Sequence, residues 1–120
     1  MRFLVVDDSA VIRKVARRIL EGMQFETSEA ADGPSALKSR GEAMPDGILL
    51  DWNIPTMDGF EFLRHLRDLP DGRRPKVLFC TTEHDAAQIA RAMHAGADEY
   101  IMKPFDQHIM RSKLEEVGLV

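Results

Sequence analysis

Phe3-Leu4-Val5-Val6-Asp7-Asp8-Ser9 is a short apolar run that stops abruptly on two carboxylates. Phe3 to Val6 leave no polar side to turn toward water. Such a run reads as a strand buried on both faces, as in a parallel sheet covered by helices. The signature returns at Gly47-Ile48-Leu49-Leu50-Asp51 and at Val77-Leu78-Phe79-Cys80-Thr81-Thr82, and in shorter form at Tyr100-Ile101-Met102-Lys103-Pro104. A weaker strand is expected around Glu26 to Ala30.

Helical periodicity fills the gaps. Val11, Ile12, Val15, Ala16, Ile19 and Leu20 form one apolar stripe, with Arg13, Lys14, Arg17 and Arg18 opposite and Gly22 as the stop. Asp32-Gly33-Pro34 opens a second helix. Asp58-Gly59 caps a third, which carries Phe60, Phe62, Leu63, Leu66 and Leu69 and is broken by Pro70-Asp71-Gly72. Ile89, Ala90, Met93 and Ala97 mark a fourth, stopped near Gly96. The last runs from Asp106 or Gln107 to about Val117, with Ile109, Met110 and Leu114 inward and Gly118 closing it. Met23, Met93, Met102 and Met110 read as core filling. Strands alternating with helices predict an α/β fold with a five-stranded parallel sheet and helices on both faces.

At 120 residues, 44% hydrophobic and 30% charged, the chain is expected to be one globular domain, residues 1–120, with no separate output domain. Any output then comes from this domain's own surface. No apolar run approaches the ~20 residues of a membrane helix, and Asp7-Asp8 spoil a signal-peptide reading. Cys80 is the sole cysteine, which excludes an internal disulfide and a cysteine-based zinc site. It is expected as a buried, reduced thiol in a cytoplasmic protein. A net charge of −4 gives no case for DNA. His65, His84, His94 and His108 lack the HExxH spacing of a zinc site, and Arg73-Arg74 reads as a charged turn. Monomer is the expected state.

In an open parallel sheet, ligands bind beyond the carboxyl ends of the strands. Those ends carry Asp7 and Asp8, Asp51, Thr81 and Thr82, and Lys103. If the first and third strands are neighbours, the three aspartates converge. At 4–5 Å and an effective dielectric near 20, each like-charged pair costs about 3–4 kcal/mol, so a cation or protons must balance the site. A few carboxylates with open positions suit Mg²⁺ better than zinc or copper, and a bound cation with open positions invites phosphate. Lys103 and Thr81 are suited to phosphoryl oxygens. Asp51, alone on its strand, is the best nucleophile for an aspartyl phosphate.

Taken together, Val-Val-Asp7-Asp8-Ser9, Leu-Leu-Asp51-Trp52-Asn53-Ile54-Pro55-Thr56-Met57-Asp58-Gly59, Cys80-Thr81-Thr82-Glu83, Ala95-Gly96-Ala97-Asp98-Glu99-Tyr100 and Lys103-Pro104-Phe105 resemble a two-component response-regulator receiver domain of the chemotaxis type. The resemblance spans the whole chain. It implies the strand order 2-1-3-4-5 of that flavodoxin-like fold. It also implies that Asp51 accepts a phosphoryl group from a histidine kinase or phosphotransfer protein. Asp7, Asp8, Asp51 and the backbone carbonyl of Asn53 would hold Mg²⁺, Lys103 would contact the phosphate, and Thr81 and Tyr100 would be the switch pair. Lys103-Pro104 is expected cis. The implied output is a surface of the fourth helix, fifth strand and fifth helix that binds a partner such as the flagellar motor switch. The protein is then a signalling switch, though it catalyses its own phosphotransfer and hydrolysis.

Singly, these residues have plainer readings. Asp7-Asp8-Ser9 is also a helix cap, and Asp51 also a strand-end turn residue. Trp52 is expected as a partly exposed ring beside the site, and Asn53 and Glu83 as its flanks. The basic face of the first helix is a solvated surface or a dock for a phosphodonor. Rival functions are a phosphorelay shuttle or phosphate sink, a cyclic-dinucleotide-binding module and a flavodoxin-like cofactor binder. For the dinucleotide reading the fourth helix offers only Arg91, with Arg111 further on.

Overall fold

The apolar runs do become parallel strands. A computed structural model describes residues 1–39, 44–82 and 86–120, so Glu83 and His84 lie outside the described residues. The strands are β1 (Arg2–Val6), β2 (Glu26–Ala30), β3 (Gly47–Asp51), β4 (Lys76–Thr81) and β5 (Glu99–Met102). They alternate with helices α1 (Ala10–Gly22), α2 (Gly33–Ser39), α3 (Gly59–Asp68), α4 (Ala86–Ala95) and α5 (Gln107–Glu116). The sheet order is β2-β1-β3-β4-β5 and every pair is parallel. No helix among the described residues is long and apolar enough to cross a membrane.

Period-two alternation divides the core into two layers. Leu4, Val6, Ile48, Leu50, Val77 and Phe79 face one side, where α2, α3 and α4 bring Ala36, Phe62, Leu63, Leu66 and Ala92. Phe3, Val5, Leu49, Leu78, Cys80 and Ile101 face the other, against Ala16 and Leu20 of α1 and Met110 and Leu114 of α5. The central strand β3 is buried along its whole length. β2 is an edge strand whose Glu26 and Glu29 are exposed, which is why its apolar signal is faint.

Two expectations need correction. The apolar stripes are wider in sequence than the contacts they make: Val11 and Val15 of α1, Met93 of α4 and Ile109 of α5 are exposed, and Met102 is only half-buried. One helix packing on one face of a sheet covers only its central rows, and the flanking positions stay wet. α1 ends at Gly22 as expected, but its left-handed closing position is not a glycine. Gln24 takes the left-handed conformation at φ 74°, with its N–H on the Glu21 carbonyl and the Phe25 N–H on the Leu20 carbonyl. The same paired closure ends α4 at Gly96 and α5 at Gly118, where glycine meets the positive φ without strain. Trp52, finally, is buried.

Arg67, unremarked in the sequence, ties the far end of the sheet together. Its guanidinium donates to the carbonyls of Gly96 (2.6 Å), Gly72 (2.9 Å) and Pro75 (2.8 Å) and to Asp98 Oδ2 (3.0 Å). Asp98 Oδ2 also accepts the Val77 N–H at 2.8 Å. One side chain thus joins α3 to the segments that lead into β4 and β5.

Candidate functional site

At the carboxyl edge of the sheet, the strand ends hold the groups that the sequence points to. β1 runs on one residue past its last pair, as the Asp7 N–H bonds the Ala30 carbonyl at 3.1 Å. The Asp7 carboxylate is buried and held at both oxygens: Oδ1 accepts the Ser9 N–H (2.9 Å) and Oδ2 accepts Lys103 Nζ (2.8 Å), which leaves lone pairs on each. The cap of α1 is Ser9, whose side chain accepts the Ile12 N–H at 3.3 Å. Asp8 is therefore not spent on capping. It is exposed and makes no hydrogen bond or ion pair among the described residues.

Asp51 ends β3 and is also buried, with Oδ1 3.3 Å from Lys103 Nζ. Oxygens of Asp7, Asp8 and Asp51 all lie within 4.8 Å of one another. Three carboxylates and one ammonium leave the hollow with excess negative charge. Burial pushes the Asp51 pKa up, and the neighbouring Asp7 charge adds to it; Lys103 and the Asn53 backbone N–H oppose the rise without cancelling it. Burial pulls Lys103 down, but the Asp7 hydrogen bond and the charge of Asp51 outweigh it, so its pKa is raised. Hard oxygen donors, open to solvent at Asp8, fit a small divalent cation of the Mg²⁺ or Ca²⁺ kind.

The remaining predicted residues fall around this hollow. Thr81 is buried at the end of β4, and its backbone carbonyl accepts the Lys103 N–H at 2.9 Å. The Lys103-Pro104 peptide is cis. Asn53 is exposed two residues past Asp51. Tyr100 sits half-buried on β5, away from the carboxylates, with its ring 6.4 Å from Phe79 and Lys113 Nζ 4.1 Å above it. Cys80 is buried beside the site, and desolvation pushes its thiol up to about 12, which leaves it unreactive.

Trp52 departs from expectation for a packing reason. Its ring turns inward, 5.1 Å from Phe79 and 6.5 Å from Phe60, and its carbonyl accepts the Gly59 N–H at 3.0 Å. A β-carbon at Gly59 would come within 2.5 Å of the indole, so only glycine lets the loop close this tightly. The intervening Thr56 is held at φ 67°, a strained state for a β-branched residue. Trp52, Phe79 and Tyr100 thus form a continuous line of rings from the residue after Asp51 to β5.

Arg13 is the site residue that the sequence reading missed. It looked like part of a solvated basic face. In fact Nη1 donates to the Asp7 carbonyl at 2.7 Å and Nε to Glu29 Oε1 at 2.7 Å, pinning the acidic turn to β2. Arg17 also pairs with Glu29, so two of the four basic residues of this face share one carboxylate of β2.

The raised Asp51 pKa has a measurable consequence. Its native value lies above the unfolded value near 3.8, so the native state binds the extra proton and stability falls as pH rises through that window. Ionised Asp51 is therefore a liability at neutral pH in chelator. Asp51→Asn is expected to melt at a higher temperature than wild type at pH 7, with the gap closing below about pH 4, where Asp51 is protonated in both states. Melting curves in chelator across that range check it.

Known proteins resemble this chain over most of its length. The sequence pattern described as "Response regulator receiver domain" matches residues 3–115. The chemotaxis protein CheY of Pseudomonas aeruginosa is 34% identical over 118 residues, which cover 98% of this chain and 95% of that protein. The phosphate regulon transcriptional regulatory protein PhoB of Escherichia coli is 36% identical over 116 residues, 97% of this chain but 51% of PhoB. Among solved structures, Vibrio cholerae CheY4 superposes with a TM-score of 0.91 at 33% identity, covering 97% of both chains.

Proposed function

The chain belongs to the response regulator receiver family, and from that premise we propose that Asp51 accepts a phosphoryl group from the phosphohistidine of a kinase or phosphotransfer protein. The observation that carries this reading is the Lys103 ammonium, 2.8 Å from Asp7 and 3.3 Å from Asp51 within a three-carboxylate hollow. Asp7, Asp8 and Asp51, with the Asn53 carbonyl, would hold Mg²⁺, which when bound neutralises phosphoryl oxygens.

The protein's own groups do the rest. An Asp51 carboxylate oxygen attacks phosphorus, an O–P bond forms, and the N–P bond to the donor imidazole breaks, its electron pair leaving on nitrogen. Asp51 must be ionised to attack, and Lys103 favours that state. Such transfer asks chiefly for position and charge balance. Lys103 then leaves Asp51 for a phosphoryl oxygen, and the Thr81 hydroxyl donates to another. Water later attacks phosphorus, the Asp51 O–P bond breaks, and inorganic phosphate departs.

Thr81 and Lys103 thereby gain contacts found only in the phosphorylated state. Shifting a two-state equilibrium from 1:99 to 99:1 needs about 5.5 kcal/mol of such preference. Movement of Thr81 frees the space beside β4, Tyr100 turns inward, and the face of α4, β5 and α5 changes shape. The single domain of residues 1–120 works through that face, on an output partner such as a flagellar motor switch. The family's similarity to both a chemotaxis protein and a transcriptional regulator leaves the motor as the narrower part of this proposal.

Calorimetry with Mg²⁺ and then beryllofluoride tests the reading. Beryllofluoride is expected to bind only in the presence of Mg²⁺, and to bind Asp51→Ala not at all. Equal binding to Asp51→Ala would overturn it. The buried Trp52, adjoining Asp51 and stacked toward Phe79, supplies a fluorescence signal for the same titration.

A further inference from the structure

Of the three carboxylates in the hollow, Asp8 is the one that no partner holds by its side chain. Ser9 and Lys103 hold Asp7, and Lys103 lies against Asp51. Asp8 is exposed and makes no hydrogen bond or ion pair among the described residues. An oxygen of Asp8 nevertheless stands within 4.8 Å of oxygens of the other two. Like charges at that distance repel, so nothing at the carboxylate itself draws it there. What aims Asp8 at the hollow is its backbone.

That backbone is clamped on three sides. The Asp7 N–H bonds the Ala30 carbonyl of β2 at 3.1 Å, and the Ser9 N–H closes a turn over Asp8 onto Asp7 Oδ1 at 2.9 Å. The third hold is Arg13, whose Nη1 donates to the Asp7 carbonyl at 2.7 Å. This carbonyl and the Asp8 N–H belong to one planar peptide, so the guanidinium fixes the plane from which Asp8 projects. Arg13 is itself anchored. Its backbone N–H donates to the Ser9 carbonyl at 3.0 Å, and its Nε donates to Glu29 Oε1 of β2 at 2.7 Å. The other Glu29 oxygen takes Arg17, which also donates to Thr27 Oγ1 at 2.9 Å. The Arg13 side chain is only 16% exposed, whereas Lys14 and Arg18 on the same helix are open to water.

We propose that Arg13 is a positioning residue for the metal: by holding the Asp7–Asp8 peptide it keeps the Asp8 carboxylate at the hollow and so sets the affinity for Mg²⁺. The inference rests on the Mg²⁺ site of the proposed function, and adds to it a residue that touches neither metal nor phosphoryl group. Position and charge make opposite predictions here. Arg13 is a cation near a cation site, so by charge alone its removal tightens Mg²⁺ binding. Its pairing with Glu29 offsets that field, and a surface charge screened by salt is worth only about a few-fold. By position, its removal weakens binding. Outer-shell partners that orient metal ligands are worth about 10–100-fold in affinity.

The test is calorimetric titration of Mg²⁺ alone into the metal-free full chain, comparing wild type with Arg13→Met and Lys14→Met. Methionine keeps an apolar stem on α1 and removes the donors; Arg13→Gln replaces it if that variant does not fold. Lys14→Met removes the same charge from the next position, where the exposed side chain makes no hydrogen bond or ion pair among the described residues. Arg13→Met is expected to bind Mg²⁺ about tenfold more weakly or worse. Lys14→Met is expected to stay within about threefold of wild type. In the metal-free protein, the ¹⁵N order parameter of the Asp8 amide is expected to fall in Arg13→Met alone. Mg²⁺ binding by Arg13→Met as tight as wild type or tighter, or an equal loss in Lys14→Met, would overturn this inference and leave the phosphoacceptor reading standing. A wild-type protein that takes up no Mg²⁺ would overturn both.

Discussion

Lys103→Ala is expected to slow phosphorylation of Asp51 by about 10²–10³-fold, the usual cost of removing one preorganised electrostatic partner from a reacting centre. Lys103 is the only cation touching the carboxylate hollow among the described residues, reaching Asp7 at 2.8 Å and Asp51 at 3.3 Å. Its loss does two things. Asp51, already pushed up by burial and by Asp7, loses the chief opposing charge, so less of it is ionised and ready to attack. The transferring group also loses its ammonium partner. Lys103→Arg is not expected to rescue the rate, because a planar fork cannot take the place of a compact point charge between two buried oxygens. The rate of phosphoryl incorporation from acetyl phosphate, with Mg²⁺ in excess, checks this. A rate equal to wild type would remove Lys103 from the chemistry.

Arg67→Ala is expected to cost about 2–4 kcal/mol of folding stability, toward the low end of the 3–5 kcal/mol for a broken buried pair because Asp98 keeps some access to water. The side chain serves three carbonyls and one carboxylate, and few of these acceptors can find another donor once it is gone. Against a typical total of about 5–15 kcal/mol, that is a large share. Arg67→Lys is expected to recover little of it, since one ammonium cannot span the four positions. Urea unfolding gives the number directly. A loss under about 0.5 kcal/mol, as for an ordinary surface change, would show that the network is ornamental.

These two residues mark where the sequence is informative and where it is silent. Lys103, Asp7 and Asp51 could be found because each interrupts or ends a run whose only stable home is a buried parallel strand. Strand ends in such a sheet share one edge, so the chemistry assembles itself on paper. Arg67 could not be found. Its partners are backbone carbonyls of Gly72, Pro75 and Gly96, and a carbonyl has no residue letter to read. Arg13 failed for a related reason: a helix wheel places it among basic residues, while its use depends on how closely β2 and the Asp7 turn approach α1.

Periodicity likewise finds an apolar stripe but not its width. Ala16 and Leu20 are buried, and Val11 and Val15 on the same helix are not. Trp52 reads as a ring at an exposed loop because the loop is polar around it. It turns inward because Gly59 and Phe79 leave a slot of the right shape, a fact about three separate segments. Gly22 marks the end of α1, but the sequence hides that Gln24, with no glycine's freedom, takes the left-handed position that glycine fills in α4 and α5.

The central claim is that Asp51 is a phosphoacceptor, and one measurement meets it head on. The protein is incubated with acetyl phosphate, with and without Mg²⁺, and analysed by intact mass followed by borohydride reduction and peptide mapping. The account predicts a single added phosphoryl group, present only with Mg²⁺ and mapping to Asp51. No incorporation, or incorporation at full extent in Asp51→Asn, would contradict it.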